Sequence, residues 1–272
     1  MTEAPLAEKS YSISLRYQIK RACPRLHPRT NDILADMYRA DELYGTESEK
    51  PVTINKLARV TIKQGAMMNK LMRSYSIKRS LEVGLGYGFS TVWMLDALRP
   101  RRNALHVAID PYQKSFFKGI GLTQVERLES GARFEWIDDF SIHALSGLIG
   151  QGEKFDFIFI DGNHRFDDVI VDFYLSDQIL RTDGLIALDD IRMSAVRTAA
   201  NFIVANRSYQ LIPQPADNML VLQKTRDDDR DWRHFNGFEV EWPPNIAGLL
   251  PPESRAAPNG IARFKNAFRN IF

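Results

Sequence analysis

The chain has 272 residues, 44% hydrophobic and 26% charged, which is enough for one sizeable buried core and argues against disorder over most of its length. A net charge of +2 and a pI near 8.6 are too balanced for nucleic-acid binding, which needs a clustered basic face. The single cysteine, Cys23, excludes an internal disulfide; with no apolar leader in Met1 to Ser10 and no bilayer-length apolar run, a cytoplasmic protein is expected.

Taken in order, residues 1–28 are basic from Arg16 onward, lack a firm period and are expected to form a partly ordered arm. Thr30 is placed to cap a helix running to about Tyr44, with Ile33, Leu34, Met37 and Tyr38 on one face. Thr61 and Gln64 have the spacing of a capping box, and Met67, Met68, Leu71, Met72 and Tyr75 follow at helical spacing. These helices are expected to cap the domain behind them. From Pro51 to Ser80 there are bases (Lys56, Arg59, Lys63, Lys70, Arg73, Lys78, Arg79) and no acid. A solvated helix face accounts for most such runs; attraction of an anionic substrate is the other reading.

The stretch Leu81-Glu82-Val83-Gly84-Leu85-Gly86-Tyr87-Gly88-Phe89-Ser90 organises the rest. It lies between a short apolar strand and a helix that stops at Pro100, so the glycines form a strand-to-helix turn. Without Cβ atoms such a turn lets a ligand lie against the backbone and the helix N-terminus. Strands are then predicted at 104–109, 133–137, 155–160 and 184–188, alternating with helices at 123–130, 142–148, 169–180 and 194–205. That alternation predicts a doubly wound α/β fold with a mainly parallel sheet. Tyr209 to Ile212 and Met219 to Leu222, with no helix between them, are expected to close one edge as an antiparallel pair. The chain divides into an arm and helical cap (1–60), an α/β domain (61–224) and an irregular tail (225–272) that packs Trp232, Phe235 and Phe238 back on the domain.

Ligands of open α/β sheets gather outside the carboxyl ends of the strands, and here those ends carry Gly84 to Gly88, Asp110, Asp139 with Ser141, and Asp161, Asp189 and Asp190. An acid at the place of Asp110 suits two ribose hydroxyls, since a carboxylate accepts from both. No Lys-Ser or Lys-Thr follows the glycines, which excludes a triphosphate-binding loop. Three carboxylates close together raise one another's pKa unless a cation sits among them, and an all-oxygen set favours Mg²⁺, Mn²⁺ or Ca²⁺. The other reading is a local acid cluster that caps helices without metal.

In sequence order the motifs are Glu82-Val83-Gly84-Leu85-Gly86-Tyr87-Gly88, Ala108-Ile109-Asp110-Pro111-Tyr112, Phe157-Ile158-Phe159-Ile160-Asp161-Gly162-Asn163-His164 and Gly184-Leu185-Ile186-Ala187-Leu188-Asp189-Asp190. Together they resemble the class I S-adenosylmethionine-dependent methyltransferases, in particular the metal-dependent branch of catechol, caffeoyl-coenzyme-A and antibiotic-sugar O-methyltransferases. The resemblance covers roughly residues 61–224 and implies a seven-stranded Rossmann-like sheet. It also implies that Glu82, Gly84, Gly86 and Gly88 flank the methionine part of S-adenosylmethionine, that Asp110 takes the ribose, and that Asp139, Phe140 and Ser141 line the adenine. Asp161, Asp189 and Asp190 fall on the metal positions, for Mg²⁺ or a similar cation, although catechol-type enzymes commonly have Asn at the place of Asp190. His164 stands where the antibiotic-sugar branch has a His and is the expected general base, with Asp161 beside it in the catalytic set.

The expected reaction is methyl transfer to a hydroxyl of a small-molecule acceptor, without nucleic acid or membrane as partner and with homo-oligomer formation open. A nicotinamide-dependent oxidoreductase is the alternative, weakened because Gly88 falls one place before the third glycine of the dinucleotide fingerprint. A non-catalytic member of the fold is the third reading.

Overall fold

Three helices precede the sheet in a computed structural model that describes residues 6–213 and 218–238, with side chains from residue 14 onward. The first, α1 (Leu6–Ala22), replaces the partly ordered arm expected there. Leu15, Ile19 and Cys23 recur every fourth residue and are buried with Leu26. So thin a stripe is hidden in the sequence among Arg16, Tyr17, Gln18, Lys20 and Arg21, and packing rather than propensity forms the helix.

Helix α2 (Pro28–Arg39) begins ahead of Thr30: His27 is its N-cap and Pro28 its first residue, where a missing N–H costs nothing. Thr30 is buried inside the helix and donates to Asp96 Oδ1 at 2.7 Å. The helix stops at Arg39 because Ala40 turns extended, and β1 (Glu42–Leu43) pairs antiparallel with β2 (Val52–Thr53). Helix α3 (Ile62–Ser74) starts as the capping box predicts, with Gln64 Oε1 accepting from the Thr61 N–H at 2.7 Å and Thr61 Oγ1 from the Gln64 N–H at 3.2 Å.

The sheet follows: β3 (Arg79–Val83), α4 (Phe89–Leu98), β4 (Leu105–Ile109), α5 (Ile120–Leu128), β5 (Arg133–Ile137), α6 (Ser141–Gly150), β6 (Phe155–Ile160), α7 (Phe166–Ile179), β7 (Leu180–Leu188), α8 (Ser194–Asn206), β8 (Tyr209–Leu211) and β9 (Leu220–Lys224). Seven strands form one sheet in the order β5-β4-β3-β6-β7-β9-β8. The first five are parallel; β9 runs antiparallel between β7 and β8, so the second strand of the edge pair, not the first, joins the sheet. The chain winds outward from β3 to β5 and returns to β6 beside β3, which opens a crevice at the carboxyl ends of those two strands.

Both faces of the sheet are covered. Phe157, Phe159, Leu185 and Ala187 face α4 and the N-terminal helices, whereas Ile158, Ile160, Ile186 and Leu188 face the side that carries α7 and α8. Helix α4 is buried on every side between α3 and the sheet. In the tail, Phe238 meets Phe202 and Phe235 edge-on with centroids 6.0 and 6.1 Å away, but Trp232 is 88% exposed and meets the guanidinium of its neighbour Arg233, 5.4 Å from the ring centre. Charge does more there than aromatics: Asp227 pairs with Lys224 and Asp228 with Arg207, both at 2.8 Å. The remaining tail expectations, for 239–272, lie outside the described residues.

Candidate active site

A cleft of about 890 Å³ opens at the carboxyl ends of β3, β4, β6 and β7. The glycine turn forms its floor. Gly84 has φ +96°, and a Cβ there would stand 2.2 Å from the carbonyl oxygen of Asp161, so only glycine lets β3 and β6 end side by side. At Gly86, φ is +52° and the nearest atom to a Cβ would be 3.9 Å away, on the Phe117 ring, so that its backbone face is open for a ligand. Gly88 is the N-cap of α4.

Glu82 lies beneath this turn and does not line the cleft. Its carboxylate accepts from Ser90 Oγ at 2.7 Å and from Thr91 Oγ1, and His106 Nε2 lies 3.0 Å from it. His106 in turn reaches Ser80 Oγ at 2.8 Å. Glu82 therefore ties two strands to the first turn of α4 and supports the floor from below, where the resemblance implied contact with the methionine part.

Asp110 ends β4 as expected and faces the cleft. Its Oδ2 accepts from the Gly86 N–H at 2.8 Å and from Gln113 Nε2 at 3.0 Å, and Oδ1 from the Tyr112 N–H at 2.7 Å. A carboxylate has about four acceptor positions, so the open one is on Oδ1, and a ribose would be met there first. Burial raises the Asp110 pKa, against the pull of these donors. Gln113 is fully buried and also donates to the Gly86 carbonyl at 2.7 Å, locking the glycine turn to Asp110. Phe140 and Ser141 line the same end of the cleft; Tyr112 stands edge-on to Phe140 at 6.0 Å. Asp139 does not line it: its Oδ1 accepts from the Phe140 N–H at 2.7 Å and lies 3.1 Å from His143 Nδ1.

At the other end Asp161, His164 and Asp190 converge, with one ligand atom from each lying within 4.8 Å of the others. His164 Nε2 stands 3.0 Å from Asp190 Oδ2 and 3.5 Å from Asp161 Oδ1. That nitrogen is buried and makes no aligned hydrogen bond. Two carboxylates drive the His164 pKa up to about 10, and burial raises Asp161 to about 6. His164 holds Asp190 below the usual carboxylate range. Asp189 is buried and its pKa is pushed up by that burial, with Asp161 adding to the effect. It stands apart from the converging trio, because its Oδ1 accepts from Gln64 Nε2 at 2.6 Å and from the Asp190 N–H at 2.9 Å. Two carboxylates converging beside a buried imidazole nitrogen that lacks a hydrogen-bond partner form an oxygen-donor pair that fits a divalent cation.

Several of these residues give no signal in the sequence. Gln64 shows there only as half of a capping box, yet it also holds Asp189 from 125 positions away. Asn218 donates to Asp190 Oδ1 at 2.5 Å and stabilises a non-glycine backbone at φ +55°. The capping box was the one available clue to Gln64; nothing marks Asn218.

A profile of the family described as "Methyltransferase domain" matches residues 81–191, from β3 through the end of β7. A protein of Mycobacterium sp. (strain JLS), named provisionally as an O-methyltransferase, is 27% identical in an alignment of 202 residues that covers 66% of this chain and 86% of that one. In fold the chain is similar to the O-methyltransferase of Bacillus cereus in complex with SAH (16% identity, TM-score 0.58, covering 79% of this chain and 99% of that one). It is also similar to TomG of Streptomyces achromogenes, an O-methyltransferase involved in tomaymycin synthesis and solved with SAM (19% identity, TM-score 0.52, covering 62% and 82%). With the strand order, the glycine turn and the acid of β4 in their places, residues 81–191 carry a methyltransferase domain, set in a fold similar to that of S-adenosylmethionine-dependent O-methyltransferases.

Proposed function

We propose that this enzyme methylates a hydroxyl of a small-molecule acceptor with assistance from a divalent cation. The observation that carries the proposal is the convergence of Asp161, His164 and Asp190 in the cleft that also holds the glycine turn and Asp110. S-adenosylmethionine supplies a methyl group already electrophilic on its sulfonium, so the protein's task is alignment and proton removal. Gly86 and Asp110 hold the nucleoside end, with Gln113 fixing both. Asp161 and Asp190 would hold a cation such as Mg²⁺ or Mn²⁺, with Asp189 adjoining, and that cation would lower the pKa of an acceptor hydroxyl. Gln64 and Asn218 keep the carboxylates from turning away. His164 Nε2 is the group placed to accept the hydroxyl proton.

Two further points belong to this reading. Among the described residues no helix is long and apolar enough to cross a membrane. A reducing, cytoplasmic setting suits the buried free thiol of Cys23.

The test combines chelation with a variant. Excess EDTA should abolish methyl transfer and added Mg²⁺ or Mn²⁺ restore it. His164→Ala should lose about 10² to 10⁴ in turnover, the worth of a general base, while SAH and metal affinities stay near wild type. Full turnover in EDTA would remove the cation from the mechanism; metal affinity lost in step with rate would make His164 a ligand instead of the base.

A further inference from the structure

Four basic side chains line the cleft: Lys56, Arg59, Arg165 and Arg192. Two are already neutralised, Lys56 by Asp41 and Arg165 by Asp168 at 2.8 Å. Arg59 and Arg192 pair with no acid among the described residues. Arg59, on the loop before α3, is half-buried and held in place: its guanidinium donates to the Tyr38 carbonyl at 3.1 Å and lies 5.6 Å from the centre of the Tyr38 ring. Tyr38 is itself fixed, donating to the Val60 carbonyl at 2.8 Å and accepting from Trp93 Nε1 at 3.2 Å. Arg192 lies two residues past Asp190, its backbone N–H donating to Asn218 Oδ1 at 2.9 Å.

We propose that the methyl acceptor carries an anionic group, a carboxylate or a phosphate, bound by Arg59 and Arg192 while its hydroxyl lies against Asp161, His164 and Asp190. The proposal rests on the acceptor end of the cleft being where the proposed function puts it. A planar guanidinium matches carboxylate and phosphate oxygens two at a time, and one already held by its neighbours loses little freedom on binding. Holding a half-buried cation at a ligand cleft without an acid beside it leaves its charge for a bound anion to compensate. The carboxylates repel an anion, so the charged group of the acceptor is drawn to the two guanidinium groups and its neutral hydroxyl is the part left to approach the acid cluster. Substrate charge thereby sets orientation as well as affinity.

The experiment uses the full chain saturated with SAH and Mg²⁺ and reads binding by calorimetry. The probes are hydroxyl compounds that differ by one charged group: catechol against 3,4-dihydroxybenzoate, and glucose against glucuronate and glucose 6-phosphate. In at least one set an anionic member should bind about tenfold or more tightly than its neutral counterpart, as expected for hydrogen bonds between charged groups, and high salt should weaken the preference. Arg59→Gln and Arg192→Gln should each remove most of it and leave SAH affinity alone; the exposed Arg192 keeps the test valid if the Arg59 variant misfolds. The two acids of the glucose set separate carboxylate from phosphate. Equal binding across every set, or a preference that survives both substitutions, overturns the proposal. Loss of chelator sensitivity would instead strike the cation mechanism and leave the charge preference standing.

Discussion

His164 sits where two carboxylates compete for one imidazole, and its protonation reports what else is in the site. Without a cation its pKa is about 10, against about 6.5 in an unfolded chain. A folded-state pKa raised in this way adds stability that is complete below pH ~6.5 and fades as pH rises through about 10. Asp161, raised to about 6, titrates at the foot of that window and Asp189 is also pushed upward by burial, so the share that belongs to His164 is the difference from a variant that lacks the imidazole. In metal-free protein the His164 ring should therefore remain protonated well above neutrality by NMR, and the melting temperature should fall over this interval more steeply than in His164→Asn. Added Mg²⁺ should bring the ring's titration down and level the two melting profiles; a ring that titrates near pH ~6.5 without metal would contradict the geometry. Asp161, His164 and Asp190 were legible in the sequence because residues just past strand ends reach the crevice whatever the packing. The roles of Glu82 and Asp139 were not, because whether a strand-end acid faces the ligand or the protein depends on what fills the space behind it. Ser80, Ser90, Thr91 and His106 fill it for Glu82.

At the scale of elements, the strands of the sheet were readable from apolar period and turn residues, and β5 and β6 begin and end where the sequence places them. The register shift between Phe155 and Phe157 was not, since a bulge leaves the run of apolar residues unbroken. Helix α4 was expected, but not its burial all round, which depends on how closely α3 approaches. That approach is set by Gly65: a Cβ there would lie 2.2 Å from Trp93 Nε1 and 2.3 Å from Cδ1 of the same fully buried indole. Gly65→Ala gains about 1 kcal/mol of helix propensity but overpacks a filled core at about 1–3 kcal/mol, so a net loss is expected. Denaturant titration should show a lower midpoint, and Gly65→Val a lower one still. Gln64 is the neighbouring residue, so the same variants should loosen Asp189 and weaken metal binding before the fold fails. A higher midpoint for Gly65→Ala would mean that Trp93 can move and that the contact is not what fixes α3.

Across the whole molecule, the N-terminal helices were the least legible part, because a buried acid far along the chain ties them together. Asp96, fully buried on α4, accepts at Oδ1 from Thr30 Oγ1 at 2.7 Å and from the His27 N–H at 3.1 Å. Its Oδ2 accepts from Asn69 Nδ2 at 3.0 Å and from the Arg73 guanidinium at 2.8 Å. Asn69 passes the link on, its Oδ1 accepting from Cys23 Sγ at 3.3 Å and from Arg73 Nε at 2.9 Å. One carboxylate thus joins the end of α1, the start of α2, the middle of α3 and the body of α4. In the sequence it reads only as an acid interrupting an apolar helix. Asp96→Ala would strand a mostly buried Arg73 with no counter-charge and leave the hydroxyl of Thr30 and the amide of Asn69 short of partners. Breaking a buried ion pair from one side costs about 3–5 kcal/mol, a large share of the stability of a single domain. The loss should be concentrated at the junction, because α1 and α2 contact the sheet domain mainly through α3, α4 and α5. Limited proteolysis of Asp96→Ala should therefore cut first within residues 14–60, while the fragment from α3 onward persists. SAH affinity should fall less than metal affinity, since α3 carries Gln64 to Asp189 whereas the proposed nucleoside end of the cleft is built from β3, β4 and Gln113. Asp96→Asn keeps the acceptor for Thr30 and His27 but not the charge for Arg73, and should fall between wild type and Ala. Cleavage spread evenly over the chain, or an unchanged pattern, would show that the helices are held by their apolar stripe alone and that Asp96 is not the tie.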